Sequence, residues 1–200
     1  MSKRTPALTL KCTLTAYPSL SYIFSALDTQ CRPRLSIFNS LLKTCEQNDQ
    51  LFLLYPYLEK VDAILPWRTM SLCEKVNILN TVIRIVKEED KASLLLKEIK
   101  KLFALFRGQK KEEILAHKDS IVSSLVDLFV EDELLFEMSD MMSQDHVKIA
   151  LEGSQNIIDL YTGILKGDVS AASSLFEKAK DAFKGTDLSV EGLERKIRFT

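Results

Sequence analysis

Apolar residues recur at helical spacing along most of this chain. The most regular series has steps of four, three, four and three residues, and it comprises Leu72, Val76, Leu79, Ile83 and Val86. Such steps place side chains on one face of an α-helix. Ile78, Val82 and Ile85 widen that face, so we expect a helix that is covered on two sides.

Local signals mark several helix ends. Ser71 and Glu74 form a capping box, in which the serine hydroxyl accepts from the Glu74 amide and the glutamate reaches back to the Ser71 amide. Pro56 fits the first turn of a helix that carries apolar residues as far as Leu65. Gly108 fits the glycine position that follows a helix C-terminus.

Together these signals predict an all-α fold. Besides the helix that follows Ser71, predicted helices cover residues 19–27, 35–48, 56–65, 90–108, 111–130, 133–138, 152–165, 169–183 and 189–199. Six glycines and five prolines in 200 residues are too few for the many turns of a sheet-rich fold. Short loops favour antiparallel hairpins, and we expect these to stack into a right-handed, solenoid-like array that buries their apolar faces.

Composition and charge exclude several classes of protein. Hydrophobic residues make up 46% and charged residues 28% of the chain, which favours a globular over a disordered protein. The net charge of −1 gives no overall attraction to nucleic acid or an anionic membrane. No apolar stretch approaches the roughly 20 residues of a membrane span. Polar residues interrupt the apolar positions before residue 15, so we expect neither a signal peptide nor a membrane partner.

The sequence shows no pattern of catalytic chemistry. Its isolated glycines form no phosphate-binding loop, and no nucleophile motif accompanies the two histidines. We expect His117 on a solvent-exposed helix face and His146 in a structural position, in a loop or first helical turn. We therefore predict a protein that is not an enzyme and has no catalytic residue, cofactor or small-molecule substrate. An enzyme or small-ligand bundle remains the alternative, and it would require these histidines buried beside carboxylates in a pocket.

The cysteines do not have the spacing of metal ligands. They are Cys12, Cys31, Cys45 and Cys73, without a CxxC pair and far from either histidine. We expect no metal site, and thiols that act as small core residues in a reducing compartment.

Three features are candidates for partner contact. Trp67, which follows Pro66, either packs into a junction between two helices or is exposed and anchors a partner. A basic cluster comprises Lys97, Lys100, Lys101, Arg107, Lys110 and Lys111. This cluster is either a solvated face at a helix C-terminus or a contact for RNA or an acidic protein. Glu131, Asp132 and Glu133 form an acidic corner suited to a basic partner or to helix capping.

Several segments, in order along the chain, resemble one family. They are residues 34–42, 55–65, 71–75, 147–153 and 193–199, with Asp159-Leu160 and a helix bearing Phe176 between the last two. This series resembles the PCI-domain M subunits of eukaryotic translation initiation factor 3, over roughly residues 32–200. Each segment is a weak signal alone, and their common order carries the resemblance.

The resemblance implies a specific organisation and function. Residues 1–31 would form an N-terminal segment, partly disordered or with one short helix. Residues 32–200 would form the helical-repeat part of a PCI domain, whose winged helix would begin near Thr200 and is absent or truncated here. The family implies a cytoplasmic, non-catalytic scaffold that assembles with other initiation factor 3 subunits. It would support recruitment of the small ribosomal subunit and mRNA.

Two other scaffold functions remain open. A PCI subunit of the signalosome or the proteasome lid would use the same fold with different partners. A generic helical adaptor would share the amphipathic helices without the family relationship.

Overall fold

The computed structural model describes residues 17–48, 50–88, 91–131, 137–166 and 169–183, together with Gly192 and Lys196. Helices are the only regular secondary structure within these ranges, which confirms the all-α class. The α-helices are α1 (17–26), α2 (Pro33–Glu46), α3 (Tyr55–Leu58), α4 (Val61–Ile64), α5 (Leu72–Glu88), α6 (Ala92–Ala104), α7 (Lys111–Ala116), α8 (Lys118–Val130), α9 (Glu137–Ser143), α10 (Asp145–Ala150), α11 (Gln155–Leu165) and α12 (Val169–Ala179). Leu51–Leu54 and Lys180–Phe183 form 3₁₀ turns. None of the described helices is long and apolar enough to cross a membrane.

The chain divides into two compact units, and the division along the sequence falls between Ile78 and Leu79, within α5. Unit 1 contains α1 to α4 and the first turns of α5. Unit 2 contains the rest of α5 and all later helices.

An aromatic cluster holds unit 1 together. The Phe24 ring of α1 is 1% exposed and lies 5.7 Å from the Phe38 ring of α2 and 5.5 Å from the Tyr57 ring of α3, measured between centroids. The Arg34 guanidinium lies 4.1 Å from the Phe24 centroid and donates to the Leu27 carbonyl. This buried cation is therefore stabilised by a ring face and a backbone oxygen. Helix α1 belongs to the predicted N-terminal segment and α2 to the predicted helical-repeat part, which was expected to begin at residue 32. In the structure the two helices share one core.

The predicted capping box starts α5. The Glu74 amide donates to Ser71 Oγ at 3.2 Å, and the Ser71 amide donates to Glu74 Oε2 at 2.8 Å. Seven apolar side chains of this helix are buried: Val76, Ile78, Leu79, Val82, Ile83, Ile85 and Val86. At about 100° per residue they span roughly half the helix circumference, so the widened apolar face that the sequence predicts is buried.

In unit 2, polar contacts fix α5 against α8. Lys87 Nζ lies 2.5 Å from Asp127 Oδ1, and Asn80 Nδ2 donates to Ser120 Oγ at 2.8 Å. Because Asp127 is mostly buried, its pairing with Lys87 avoids an uncompensated carboxylate beside the core.

Helices α11 and α12 form an antiparallel hairpin. Near its loop, Gly163 lies against Ala172. At the other end, Asn156 Nδ2 donates to the Lys178 carbonyl at 3.0 Å. A Cβ atom added to Gly163 would lie 3.1 Å from Leu175 Cδ1 and 3.8 Å from Ala172 Cα. The glycine therefore allows the close approach of the two helices.

Two predicted helices are interrupted in the structure. The helix expected over 56–65 is split into α3 and α4 at Lys60, whose φ of −123° and ψ of 24° leave the helical region. The helix expected over 111–130 is split into α7 and α8 at His117, with φ of −118° and ψ of 20°. The His117 ring packs against the Phe106 ring, with 5.8 Å between their centroids. The break in the helix therefore coincides with a tertiary contact.

Other differences concern helix ends. The helix expected from residue 152 begins at Gln155, because Gly153 adopts a positive φ of 83° that an α-helix does not accommodate. Helix α9 extends to Ser143, five residues beyond the expected end at 138. The regular part of the 169–183 helix ends at Ala179, and a 3₁₀ turn completes it.

Some predictions fall outside the described residues. They concern the N-terminal segment before residue 17, the cap at Asp90, Asp132 and Glu133 of the acidic corner, and Cys12. The helix expected over 189–199 is described only at Gly192 and Lys196, both helical. Lys196 Nζ donates to the Val130 carbonyl at 2.6 Å, directly at the end of α8.

We expect Gly163→Val to destabilise the protein by about 1–3 kcal/mol, because the added branched side chain would collide with Leu175 and Ala172. Thr162→Val, on the exposed neighbouring position, should change the free energy of unfolding by less than about 0.5 kcal/mol. Urea denaturation of both variants measures the difference. Equal stabilities would show that the close approach is not needed.

The described cysteines should differ sharply in reactivity. Cys45 is fully buried, and burial raises the pKa of its thiol to about 11, as expected of a core residue. Cys73 is exposed, contrary to the prediction, and Cys31 is half-buried. Because the thiolate is the reactive form, a thiol reagent at neutral pH should modify Cys73 rapidly and Cys45 only after unfolding. Mass spectrometry of the labelled peptides tests this, and rapid labelling of native Cys45 would contradict the buried position.

Candidate functional site

The basic cluster spans the end of α6, the following loop and the first residue of α7. Its members are Lys97, Lys100 and Lys101 on α6, Arg107 and Lys110 in the loop, and Lys111. The structure thus places the sequence-predicted residues along one continuous segment of unit 2. All except the half-buried Lys101 are exposed.

Carboxylates neutralise three members of the basic cluster. Lys100 Nζ lies 2.8 Å from Glu137 Oε2, and Lys111 Nζ lies 2.7 Å from Glu152 Oε2. Lys101 Nζ lies 3.0 Å from Glu98 Oε1. Glu98 is 0% exposed, so this lysine compensates a carboxylate that would otherwise be buried alone. The positive field of the cluster is consequently weaker than its sequence indicates.

The three lysines of α6 share one face of the helix. With Ser93, Leu96 and Ala104 they line an open groove of about 460 Å³. These positions are separated by three or four residues, so they form one strip along the helix. The strip combines ammonium groups with one serine, one leucine and one alanine side chain.

Arg107 lines a different pocket, between the α6–α7 loop and the start of α10. Its volume is about 550 Å³, and its walls are formed by Phe106, Arg107, Gly108, Gln109, Ile114, Gln144, Asp145, His146 and Ile149. Helix α10 packs on α7, which brings residues 106–109 and 144–149 together. Gly108 has a positive φ of 76°, and this conformation turns the chain after α6.

His146 lies in the first turn of α10, as predicted, and is 6% exposed. Its ring meets that of Phe103 edge-on, with 6.3 Å between centroids. Burial, reinforced by the positive charge of Arg107, lowers the pKa of His146, and the Asp145 carboxylate opposes this shift. The imidazole is therefore held neutral to lower pH than an exposed histidine.

His117 is more covered than predicted. The sequence places it on a solvent-exposed face, but it is half-buried at the break between α7 and α8 and packs on Phe106. Neighbouring Lys118 donates from Nζ to the Glu152 carbonyl at 2.9 Å.

Trp67 belongs to unit 1 and is half-buried in the turn that precedes α5. Lys75 Nζ lies 5.8 Å from its ring centroid, within cation–π distance. Part of the indole therefore packs in the turn and part faces solvent. This position is intermediate between the two predicted roles, a side chain that fills a junction between helices and an exposed anchor for a partner.

Among the described residues, no group of three or more histidine, cysteine, aspartate or glutamate side chains is arranged to hold a metal ion. Comparison of the chain with protein-family models, with curated proteins and with solved structures gave no match. Assignment to the PCI family thus stays a prediction, which depends on the order of the resembling segments along the chain.

The lowered pKa of His146 predicts a loss of stability in acid. In the unfolded chain the histidine has a pKa near 6.5, and in the folded chain its pKa is lower. The unfolded state therefore takes up a proton first as the pH falls through about 6.5, and this favours unfolding. We expect the stability of the wild type to fall more steeply than that of His146→Leu between about pH 7.5 and pH 5. Chemical denaturation across this range measures both slopes. Parallel curves would show that His146 is not linked to folding.

Proposed function

We propose that this chain is a non-catalytic, helical protein-interaction subunit of a multi-subunit assembly. The observation that carries the proposal is the order of PCI-like segments along a chain in which helices are the only regular secondary structure of the described residues. The hairpin of α11 and α12, closed at Gly163, provides one unit of the kind that a stacked array repeats. The right-handed array of such hairpins is part of this proposal.

The specific assembly we propose is eukaryotic translation initiation factor 3. The segments at residues 34–42, 55–65, 71–75 and 147–153 resemble its M subunit in the same order. The chain would bind other PCI subunits in the cytoplasm and support recruitment of the small ribosomal subunit and mRNA.

The balance of charge favours protein over RNA as the direct partner. RNA-binding surfaces depend on several cations available to phosphates. Here Lys100, Lys101 and Lys111 already pair with carboxylates of this chain. The α6 strip combines Lys97 and these two paired lysines, Lys100 and Lys101, with the apolar side chains of Leu96 and Ala104, which suits short-range contact with a protein partner.

Affinity purification of the tagged chain, followed by identification of bound proteins, tests the assembly. We expect other initiation factor 3 subunits in the eluate, and co-sedimentation of the chain with small ribosomal subunits. Signalosome or proteasome-lid subunits in their place would assign a different PCI complex. A chain that purifies alone would contradict the scaffold function.

Charge reversal tests the α6 strip within the same experiment. Lys97→Glu combined with Lys100→Glu should reduce recovery of partner subunits, because both positions are exposed on that strip and would repel acidic residues. Lys180→Glu is the control for charge reversal, since this lysine is exposed in the 3₁₀ turn that follows α12 and does not line the strip. Equal recovery with all three proteins would exclude the strip as a docking surface.

A further inference from the structure

Within unit 2, helices α5 and α8 lie side by side and run in the same direction. Asn80 contacts Ser120 and Lys87 contacts Asp127, so both contacts join residues 40 positions apart. From one contact to the other each helix advances by the same number of residues in the same sense, which shows that the two helices are parallel. At about 1.5 Å per residue, the contacts lie about 10 Å apart along the helices.

A groove of about 420 Å³ follows this pair of helices, and its lining is almost entirely polar. Its apolar member is Ile83, which is buried and lies at the floor. Ser120 and Ser123 of α8 contribute hydroxyl groups, and Asn80 of α5 contributes a carboxamide. Ser123 is exposed and the other two are half-buried. A hydroxyl group both donates and accepts hydrogen bonds, so the groove offers both functions to a bound group.

This lining suits an extended segment of polypeptide better than a helix. A helix satisfies its own backbone groups and docks through apolar side chains, which the groove does not match. An extended segment presents free N–H and C=O groups, and each of them requires a hydrogen-bond partner when it is covered. The hydroxyl groups of Ser120 and Ser123 can serve as such partners.

The two walls of the groove carry charges of opposite sign. Arg84 of α5 and Asp119 of α8 are both exposed, whereas Lys87 and Asp127 are joined in their own ion pair. Arg84 also lies 3.4 Å from Glu88, but both side chains are about half exposed and such pairs contribute little. A bound segment can therefore present an acidic side chain to the α5 wall and a basic side chain to the α8 wall.

The positions of these charges define a spacing for the segment. Because contacting residues are 40 positions apart, Asp119 is level with Leu79, five residues before Arg84. Five helical residues span about 7.5 Å along the axis. Successive side chains of an extended segment point to opposite walls, at about 3.3 Å per residue. Side chains on opposite walls are thus an odd number of residues apart, and three residues, about 10 Å, come nearest to the required offset.

A nucleic acid fits the groove less well than a peptide. None of the described residues that line it is aromatic, so a nucleobase finds no ring on which to stack. The carboxylates of Asp119 and Asp127 line the same groove, and they would repel a polyanion.

We propose that the groove between α5 and α8 binds an extended segment of a partner protein that has a basic and an acidic residue three positions apart. The basic side chain pairs with Asp119 and the acidic side chain with Arg84, while the hydroxyl groups of Ser120 and Ser123 bind the main chain between them. The inference rests on the proposed function as a protein-interaction subunit and specifies the kind of segment that one of its surfaces binds.

NMR titration of the isotopically labelled full chain with short capped peptides tests the groove. Two peptides carry lysine and glutamate three positions apart among serines and alanines, in either order, because a segment can enter the groove in two directions. We expect saturable shifts of the Ile83 methyl and Ser123 amide signals with at least one of them. Peptides with two lysines or two glutamates at these positions should bind about fivefold or more weakly, because one of their charges would face its like.

Asp119→Lys provides a sharper test, because it makes both walls positive. This variant should prefer the peptide with two glutamates to either lysine–glutamate peptide, which reverses the wild-type preference. Asp145→Lys is the matched control, since Asp145 is also an exposed carboxylate in the first turn of a helix and does not line the groove. The control should keep the wild-type order of affinities.

Three results would overturn the inference. They are the absence of saturable shifts at these signals, equal binding of the like-charged peptides by the wild type, and an unchanged preference in Asp119→Lys. Shifts of the same signals that depend on protein concentration alone would overturn it too, and would assign the groove to a contact between copies of this chain. Because the titration uses the purified chain, it can succeed while affinity purification finds no initiation factor subunits, and it can fail while purification succeeds.

Discussion

The breadth of its apolar face decides how α5 must be packed. Its buried side chains cover about half the circumference of the helix, and one packed neighbour covers a narrower stripe. The helix must therefore be enclosed from more than one direction. In unit 2 the pairs Lys87–Asp127 and Asn80–Ser120 fix its edge against α8, so polar contacts set the position of a helix that the hydrophobic effect buries.

The existence of most helices could be predicted from local patterns. The steps of three and four residues in α5 and the capping box at Ser71 and Glu74 depend only on residues close in sequence. The breaks at Lys60 and His117 could not be predicted in this way, because neither position has a proline or glycine. The break at His117 accompanies packing on Phe106, eleven positions earlier, and such contacts override local propensity.

The candidate site was only partly predictable for the same reason. The six cations are visible in the sequence, but Lys100 and Lys111 are paired with Glu137 and Glu152, which lie 37 and 41 residues away. The pocket beside Arg107 depends on the packing of α10 on α7. His146 was visible only as a lone histidine, for which a structural role is the ordinary interpretation.

Neutralisation within the basic cluster bears directly on how the chain would recognise partners. A surface whose lysines already have carboxylate partners gains little from long-range attraction to polyanions, and such exposed pairs contribute little to stability. Recognition then depends on short-range fit at particular positions. Arg107 is such a position, because its charge lies at a pocket whose walls include Phe106, Ile114 and Ile149. For the interaction subunit that we propose, such a pocket would give more specificity than net charge does.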